Sequence, residues 1–413
     1  MIVIAAQAGL GFPNGPGAAA SRVSCYARGL RAAGHDVVVL CLGTSEPSPP
    51  EVAVNTQVSG VLDGIPFEYT CGTTIRSTSY WRRRWHRLRG LVGAALRIRH
   101  LADAARVEAV LLYSDSSLEA TLLHFVTRAA GAVYIVDLCE LPYHNLRGLR
   151  LGRLRRSVYN RTFFRWFDGV VAISGSLRRH ALTYGPPGLA VTSAPAMVDT
   201  DEFRPERAAA VSPVVMYCGM LSQQKDGVLS LLRAFAGLTA DMPDARLCLV
   251  GDAPRGSRIP EFRASADRLG ITDRVRFVGN VRHSETPAYL TQATVLVLAR
   301  PRTPQADYGM PTKLAEYLAS GAPVVVTRTG DIATLLEDRV NAYLVPPNDE
   351  VALEEALRYV LSHPAEAQAV GRSGREVAVR HLDYRVVAEH VASFIAELRA
   401  GHRRLEATEQ CAE

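Results

Sequence analysis

Val295-Leu296-Val297-Leu298-Ala299 runs directly into Arg300-Pro301-Arg302-Thr303-Pro304-Gln305-Ala306-Asp307-Tyr308-Gly309-Met310-Pro311-Thr312-Lys313-Leu314-Ala315-Glu316-Tyr317. The apolar run is too short for a helix and is bounded by a Pro- and Gly-rich stretch, so it reads as a buried strand. Gly309 and Pro311 make a tight loop, and Thr312 is placed to begin a helix. A helix opening there turns its free N–H groups and positive dipole end toward the strand's carboxyl edge, a ready site for phosphate. Lys313 adds a point charge. Glu316, about one turn on, can accept two hydrogen bonds from a cis-diol such as a ribose. The plainer alternative is a capped surface helix with a solvated Lys and Glu.

The same strand–loop–helix unit recurs outward in both directions. Strands are expected at Ile2–Ala6, Val37–Leu42, Val107–Tyr113, Ala132–Val136 and Val170–Ile173. They are expected again at Val214–Cys218, Arg246–Val250, Val275–Val278 and Val324–Thr327. Helical stretches lie between them, notably Ala18–Ala33 and Gly227–Leu238. Strands alternating with helices argue parallel sheets with right-handed crossovers. The alternation restarts once, which predicts an α/β chain of two Rossmann-like, doubly wound domains facing a cleft. The first domain is placed at residues 1–203 and the second at 204–383. The amphipathic helix Tyr384–Arg399 is expected to pack back on the first. Pro195–Pro213, with Ala208–Ser212 as linker, forms the joint.

Composition agrees with an ordinary globular protein: 413 residues, 48% hydrophobic and 21% charged. At roughly 150 residues per domain, that is two or three domains. No apolar run approaches the roughly 18 residues of a membrane span. The N-terminus lacks the basic flank of a signal peptide. Seven cysteines without a Cys-x-x-Cys pair argue against a disulfide framework or a thiolate zinc site, and favour a reducing cytoplasm. Residues 1–200 hold 22 Arg against 13 acids, whereas the remainder is mildly acidic. Two lobes with different partners are implied.

Lysine is nearly absent. Of 47 basic residues, all but Lys225 and Lys313 are Arg. A lysine kept in such a chain marks a place where a compact ammonium is needed and a planar fork is not. Lys313 falls in the loop–helix unit above. Lys225 lies in Gly219-Met220-Leu221-Ser222-Gln223-Gln224-Lys225-Asp226-Gly227, after the strand Val214–Cys218. Gly219 permits close backbone approach to a ligand there. The alternative is two solvated loop lysines.

Together these segments resemble the retaining, nucleotide-sugar-dependent glycosyltransferases of family 4, with the GT-B architecture. The resemblance is carried by Val198–Pro205, Leu249–Pro254, Arg274–Val281, Pro311–Glu316, Gly321–Val326, Leu344–Pro347 and Gly371–Arg375, in that order. It implies that Lys225, also a candidate catalytic residue, binds the donor diphosphate and that Glu316 holds the donor ribose. It implies further that backbone N–H groups at Thr312, Lys313 and Leu314, framed by Gly309 and Pro311, cradle phosphate, and that Asn280 and Val281 border the base. Two positions depart from the pattern. Met220 stands where the family often has Arg after the first glycine (Gly219), leaving Arg300 or Arg302 as the expected cation. Tyr308, beside Asp307, stands where an acid normally contacts the donor sugar, and is carried as a candidate catalytic position.

In the first domain, Asn14-Gly15-Pro16-Gly17 opens the first helix, and the resemblance places Gly15 and Gly17 over the donor phosphates. A dinucleotide fingerprint is rejected, because the loop after Ala6 is too long for its tight turn. Asp137 and Glu140 follow a strand; Glu140 is the candidate for acceptor contact or proton handling, with loop capping by both as the alternative. Asp199-Thr200-Asp201 mimics a metal motif but lies in a Pro-bounded connection, so it reads as an interdomain turn. His283-Ser284-Glu285 reads as a helix cap. No metal or cofactor is expected, the nucleotide sugar being a co-substrate. The segment Trp81-Arg82-Arg83-Arg84-Trp85-His86-Arg87-Leu88-Arg89, with Arg147–Arg156 and Arg161–Arg165, suits an anionic membrane surface or a lipid-linked acceptor. Nucleic acid is not expected, since no binding motif accompanies the charge. The expected function is sugar transfer from a nucleoside diphosphate donor to an acceptor hydroxyl with retention, in polysaccharide or glycoconjugate synthesis. A nucleotide-sugar epimerase and a non-catalytic sugar-nucleotide or membrane-binding protein remain the alternatives.

Overall fold

The structure, a computed structural model, describes residues 1–7, 17–48, 53, 55–141, 150–203, 212–253 and 259–410, the side chains of 150, 151, 153 and 403–410 excepted. Gly15 and its neighbours Asn14 and Pro16, the linker residues 208–211, Arg147 and Cys411 lie outside the described residues. The chain divides into two units, residues 1–195 with 384–413, and residues 196–383.

The first unit is built on strands β1 (Ile2–Ala6), β2 (Val37–Cys41), β3 (Ser59–Leu62), β4 (Ile65–Tyr69), β5 (Ala109–Tyr113), β6 (Val133–Leu138), β7 (Gly169–Ala172) and β8 (Ala190–Ser193). They form one sheet in the order β3-β4-β2-β1-β5-β6-β7-β8, parallel except for the β3–β4 hairpin. Strand β1 is buried at every residue, as expected of a central parallel strand covered by helices on both faces. The helix Tyr384–Gln410 lies against the helix Ala18–Ala32, where a side chain at Gly29 would collide with Ala388. Its Phe394 and Leu398 close over Gly169 in the same way.

The second unit contains β9 (Val214–Cys218), β10 (Arg246–Val250), β11 (Val275–Gly279), β12 (Val295–Leu298), β13 (Val324–Thr327) and β14 (Tyr343–Val345). All pair in parallel, in the order β11-β10-β9-β12-β13-β14. In chain order this is 3-2-1-4-5-6, the doubly wound arrangement whose ligand site lies outside the carboxyl ends of the two strands where the winding reverses. Here those strands are β9 and β12. In the first unit, the order β4-β2-β1-β5-β6-β7 reverses between β1 and β5.

The division falls at 195/196 and not at the expected 203/204. Residues 196–203 are tied to the end of the second unit. Val198 N–H donates to the Leu382 carbonyl at 2.9 Å, and the Thr200 hydroxyl donates to Asp383 at 2.6 Å. The Asp199 carboxylate accepts from the Asp201 N–H at 3.1 Å and caps the short helix Thr200–Glu202, a turn-forming role.

The first unit also corrects the reading of Asp137. It is not a loop cap but lies within β6, buried, in a paired fork with Arg22 of the first helix: Nε to Oδ2 at 2.6 Å and Nη2 to Oδ1 at 2.9 Å. Arg22 also donates to the carbonyls of Ala194 and Pro195 and to the Tyr26 hydroxyl, so each charge is satisfied. Asp137 holds the Arg22 guanidinium above its ordinary range, overcoming the opposing effect of burial.

Candidate functional site

The site is assembled from the segments after β9 and β12. Past β9 the chain reaches Gly219 with φ 149°, a region open to glycine. A Cβ there would sit 2.8 Å from the Lys313 ammonium. Gly219 therefore closes against this lysine. The Ser222 hydroxyl then accepts from the Lys225 N–H at 3.2 Å, starting the short helix Gln223–Asp226. Gly227 ends that helix with φ 69°, and any side chain on it would strike the Ala299 carbonyl at the end of β12. The Lys225 turn is thus pressed against the β12 edge.

After β12, Arg300 is buried and its carbonyl accepts from the Thr327 hydroxyl at 2.8 Å. Arg302 is exposed. Thr303 caps the helix Pro304–Tyr308, which ends before Gly309; Tyr308 is half-buried. Pro311 precedes the helix Thr312–Ala319, whose first turn holds no acidic residue and whose N-cap makes no side-chain hydrogen bond. Tyr317 fastens this helix to β9: its hydroxyl accepts from the Cys218 N–H at 2.6 Å and donates to the Cys218 carbonyl at 2.9 Å. The helix N-terminus is held at the sheet edge, with Thr312, Lys313 and Leu314 in its first turn.

Lys313 is the best-defined side chain here. Its ammonium donates to the Tyr217 hydroxyl at 2.6 Å and pairs with buried Asp226 at 2.8 Å. It also stands 4.8 Å from the centre of the Tyr217 ring. Burial pushes its pKa below the usual lysine range, against the pull of Asp226; the charges of Lys225 and Arg300 push the same way as burial. Three cations therefore share one local field, with Asp226 as counter-charge. Glu316, half-buried one turn on, has its carboxyl pushed upward by burial, opposed by His283 and Lys313 and reinforced by Glu202.

Asn280 is exposed and Val281 half-buried, immediately after β11. His283–Glu285 is a short helical turn in which the Glu285 carboxylate accepts from the Arg282 N–H at 2.9 Å, the cap read from sequence. In the first unit, Gly17 has φ 105° at the start of the first helix, and Glu140 is exposed just after β6. Sequence reasoning missed Tyr217, Asp226 and Tyr317. Asp226 had a signal, an acid adjoining Lys225; the two tyrosines look like core residues of a strand and a helix.

Fold and site define an α/β protein with a helix N-terminus and several cations at the switch point of its second unit. The glycosyl transferase 4-like domain model matches residues 17–195, and the group 1 glycosyl transferases model matches residues 212–363. The chain is 26% identical to a glycogen synthase of Mycobacterium tuberculosis, over 91% of this chain and 90% of that protein. It is 30% identical to a GDP-mannose-dependent alpha-(1-6)-phosphatidylinositol monomannoside mannosyltransferase of Mycolicibacterium smegmatis, over 57% and 63%. Among solved structures, sucrose-phosphate synthase from Thermosynechococcus elongatus superposes with a TM-score of 0.74 at 18% identity, over 97% of this chain and all of that one. The chain belongs to the GT4-type glycosyltransferases of GT-B fold, and is an enzyme of that class.

Proposed function

We propose that the protein transfers a hexosyl group from a nucleoside diphosphate donor to an acceptor hydroxyl with retention of configuration, for polysaccharide or glycoconjugate synthesis. The observation that carries this is the grouping of Lys225, Lys313, Arg300 and an open helix N-terminus at the β9/β12 switch point. Such a grouping suits a diphosphate that gains charge as it leaves, because its donors are in place before the reaction. In this reading Lys225 and Lys313 flank the diphosphate, the N–H groups of Thr312–Leu314 cradle it, and Glu316 accepts the ribose hydroxyls. Asn280 and Val281 border the base, and Tyr308 lies on the donor-sugar side. The bond from the anomeric carbon to the phosphate oxygen breaks as the acceptor oxygen bonds to that carbon from the same face. The acceptor proton passes to the departing phosphate oxygen. Glu140 is the candidate acceptor contact. No resident metal or cofactor is assigned.

A lipid-linked acceptor at an anionic membrane is part of the proposal. The helix Tyr80–Ala104 exposes Trp81 (77%), Trp85 (61%), Leu88, Val92 and Leu96 at helical spacing, amid Arg82, Arg84 and Arg89. The helix Ser117–Ala129, joined to it through Arg87 and Glu119 at 3.5 Å, exposes Leu118, Leu122 and Phe125. Apolar stripes with interleaved arginine suit an anionic lipid surface. The M. smegmatis relative is named for a phosphatidylinositol-based acceptor. Among the described residues, no helix is long and apolar enough to cross a membrane.

The test is a panel of UDP-, GDP-, ADP- and TDP-sugars, each incubated with and without vesicle-borne acceptors. Nucleoside diphosphate release that depends on acceptor supports the proposal. Conversion of donor alone into an epimer, or binding without turnover, overturns it.

A further inference from the structure

Tyr217 and Asp226 enclose the Lys313 ammonium, and neither is explained by core packing alone. Tyr217 belongs to a central strand, yet its hydroxyl accepts from Lys313 at 2.6 Å and donates to the Met220 carbonyl at 2.6 Å. Asp226 is 2% exposed and sits beside Lys225, so an otherwise cationic turn spends a buried carboxylate on the neighbouring helix. Gly219 supplies a third wall, its would-be Cβ lying 2.8 Å from the same nitrogen. An ammonium has three N–H bonds. Among the described residues, the Tyr217 hydroxyl takes one of Lys313's at 2.6 Å while Asp226 is ion-paired with the ammonium at 2.8 Å, and the side chain keeps 15% exposure.

We propose that Tyr217 and Asp226 are positioning residues that hold Lys313 over Gly219 with its third N–H presented to a phosphate oxygen of the nucleoside diphosphate. This rests on the donor site proposed above. The cage does two things a solvated lysine does not. It freezes a flexible four-carbon stem before the ligand arrives, which removes an ordering cost from binding. It also sets a carboxylate 2.8 Å from the buried amine, which opposes the loss of its proton. The cage further places the cation beside Met220, whose side chain is half-exposed and whose carbonyl shares the Tyr217 hydroxyl. A cation carried on residue 220 can therefore serve the same oxygen from the other side of Gly219.

The test is calorimetric titration of UDP, GDP, ADP and TDP, with the corresponding nucleosides as controls. Removing Lys313 alone would strand a buried carboxylate, so the variant is Asp226→Asn with Lys313→Met, which removes both charges together. Loss of one charge-assisted hydrogen bond predicts about 10- to 100-fold weaker diphosphate binding, with nucleoside binding unchanged. Adding Met220→Arg to that background should restore most of the loss. Tyr217→Phe should weaken diphosphate binding less than the double variant and leave nucleoside binding alone. Wild-type diphosphate affinity in the double variant overturns the proposal, as does failure of Met220→Arg to restore any of it. If Lys225→Ala still abolishes binding in that case, the donor site stands and the cage alone falls. If the wild type binds none of the four diphosphates, both fall.

Discussion

The two sheets reverse their winding in the same way but furnish the reversal with opposite chemistry. At β9/β12 stand Lys225, Lys313 and Arg300, with one buried carboxylate among them. At β1/β5 the Glu119 carboxylate is buried and accepts from the Gln7 amide and from the Ser114 hydroxyl at 2.6 Å. Arg87 reaches it at 3.5 Å from an exposed position. The buried arginine of the first unit, Arg22, is spent on Asp137 inside the fold. Topology thus gives each unit a switch point, and the residues after the strands set its local charge. The second unit's switch point is cationic, whereas the first unit's holds a buried carboxylate.

Four perturbations break or sharpen this contrast. The largest concerns the structural charge pair of the first unit. Asp137→Ala strands Arg22 in the interior and should cost about 3–5 kcal/mol, read from urea denaturation. A loss below 1 kcal/mol would show that this pair is not what holds the first helix to β6. Next, Lys225→Ala should lower turnover about 100- to 1000-fold, while Glu119→Ala leaves nucleoside diphosphate affinity within about twofold by calorimetry, a change worth under 0.5 kcal/mol. Equal losses of diphosphate binding in both would erase the distinction between the two switch points.

A smaller effect is expected at Glu316. Burial raises its pKa in the folded state, so its contribution to stability is present at acid pH and is lost as pH rises through the raised value. Glu316→Gln should therefore melt higher than the wild type at neutral pH while binding the donor about tenfold more weakly, a cost of about 1.4 kcal/mol. Wild-type donor affinity should fall as pH drops through the raised carboxyl range, and the variant should lack that acid limb. The smallest effect lies on the surface: Trp81→Ala with Trp85→Ala should weaken binding to anionic vesicles about tenfold, about 1.4 kcal/mol of interfacial burial, without altering diphosphate affinity.

Much of this was legible in the sequence. Strands buried on both faces read as unbroken apolar runs, so β1, β9 and β12 were visible at once. The Lys225 and Lys313 turns stood out because lysine is so rare here. The β3–β4 hairpin was not expected, although Asp63-Gly64, both at positive φ between apolar segments, carries its signal. Strands β8 and β14 are short edge strands, whose pairing depends on distant neighbours. The partnership of Asp226 with Lys313 was not legible, since it joins a turn after β9 to a helix after β12, 87 positions later. Asp137 resembled a loop acid for the same reason: its partner Arg22 is 115 residues away.

The most direct measurement is a crystal structure with a bound nucleoside diphosphate. The account predicts its phosphates at the N-terminus of the helix Thr312–Ala319, within hydrogen-bonding reach of Lys225 and Lys313, and its ribose hydroxyls on Glu316. A nucleotide seated instead at the β1/β5 edge, with both lysines still turned to protein or solvent, would contradict it.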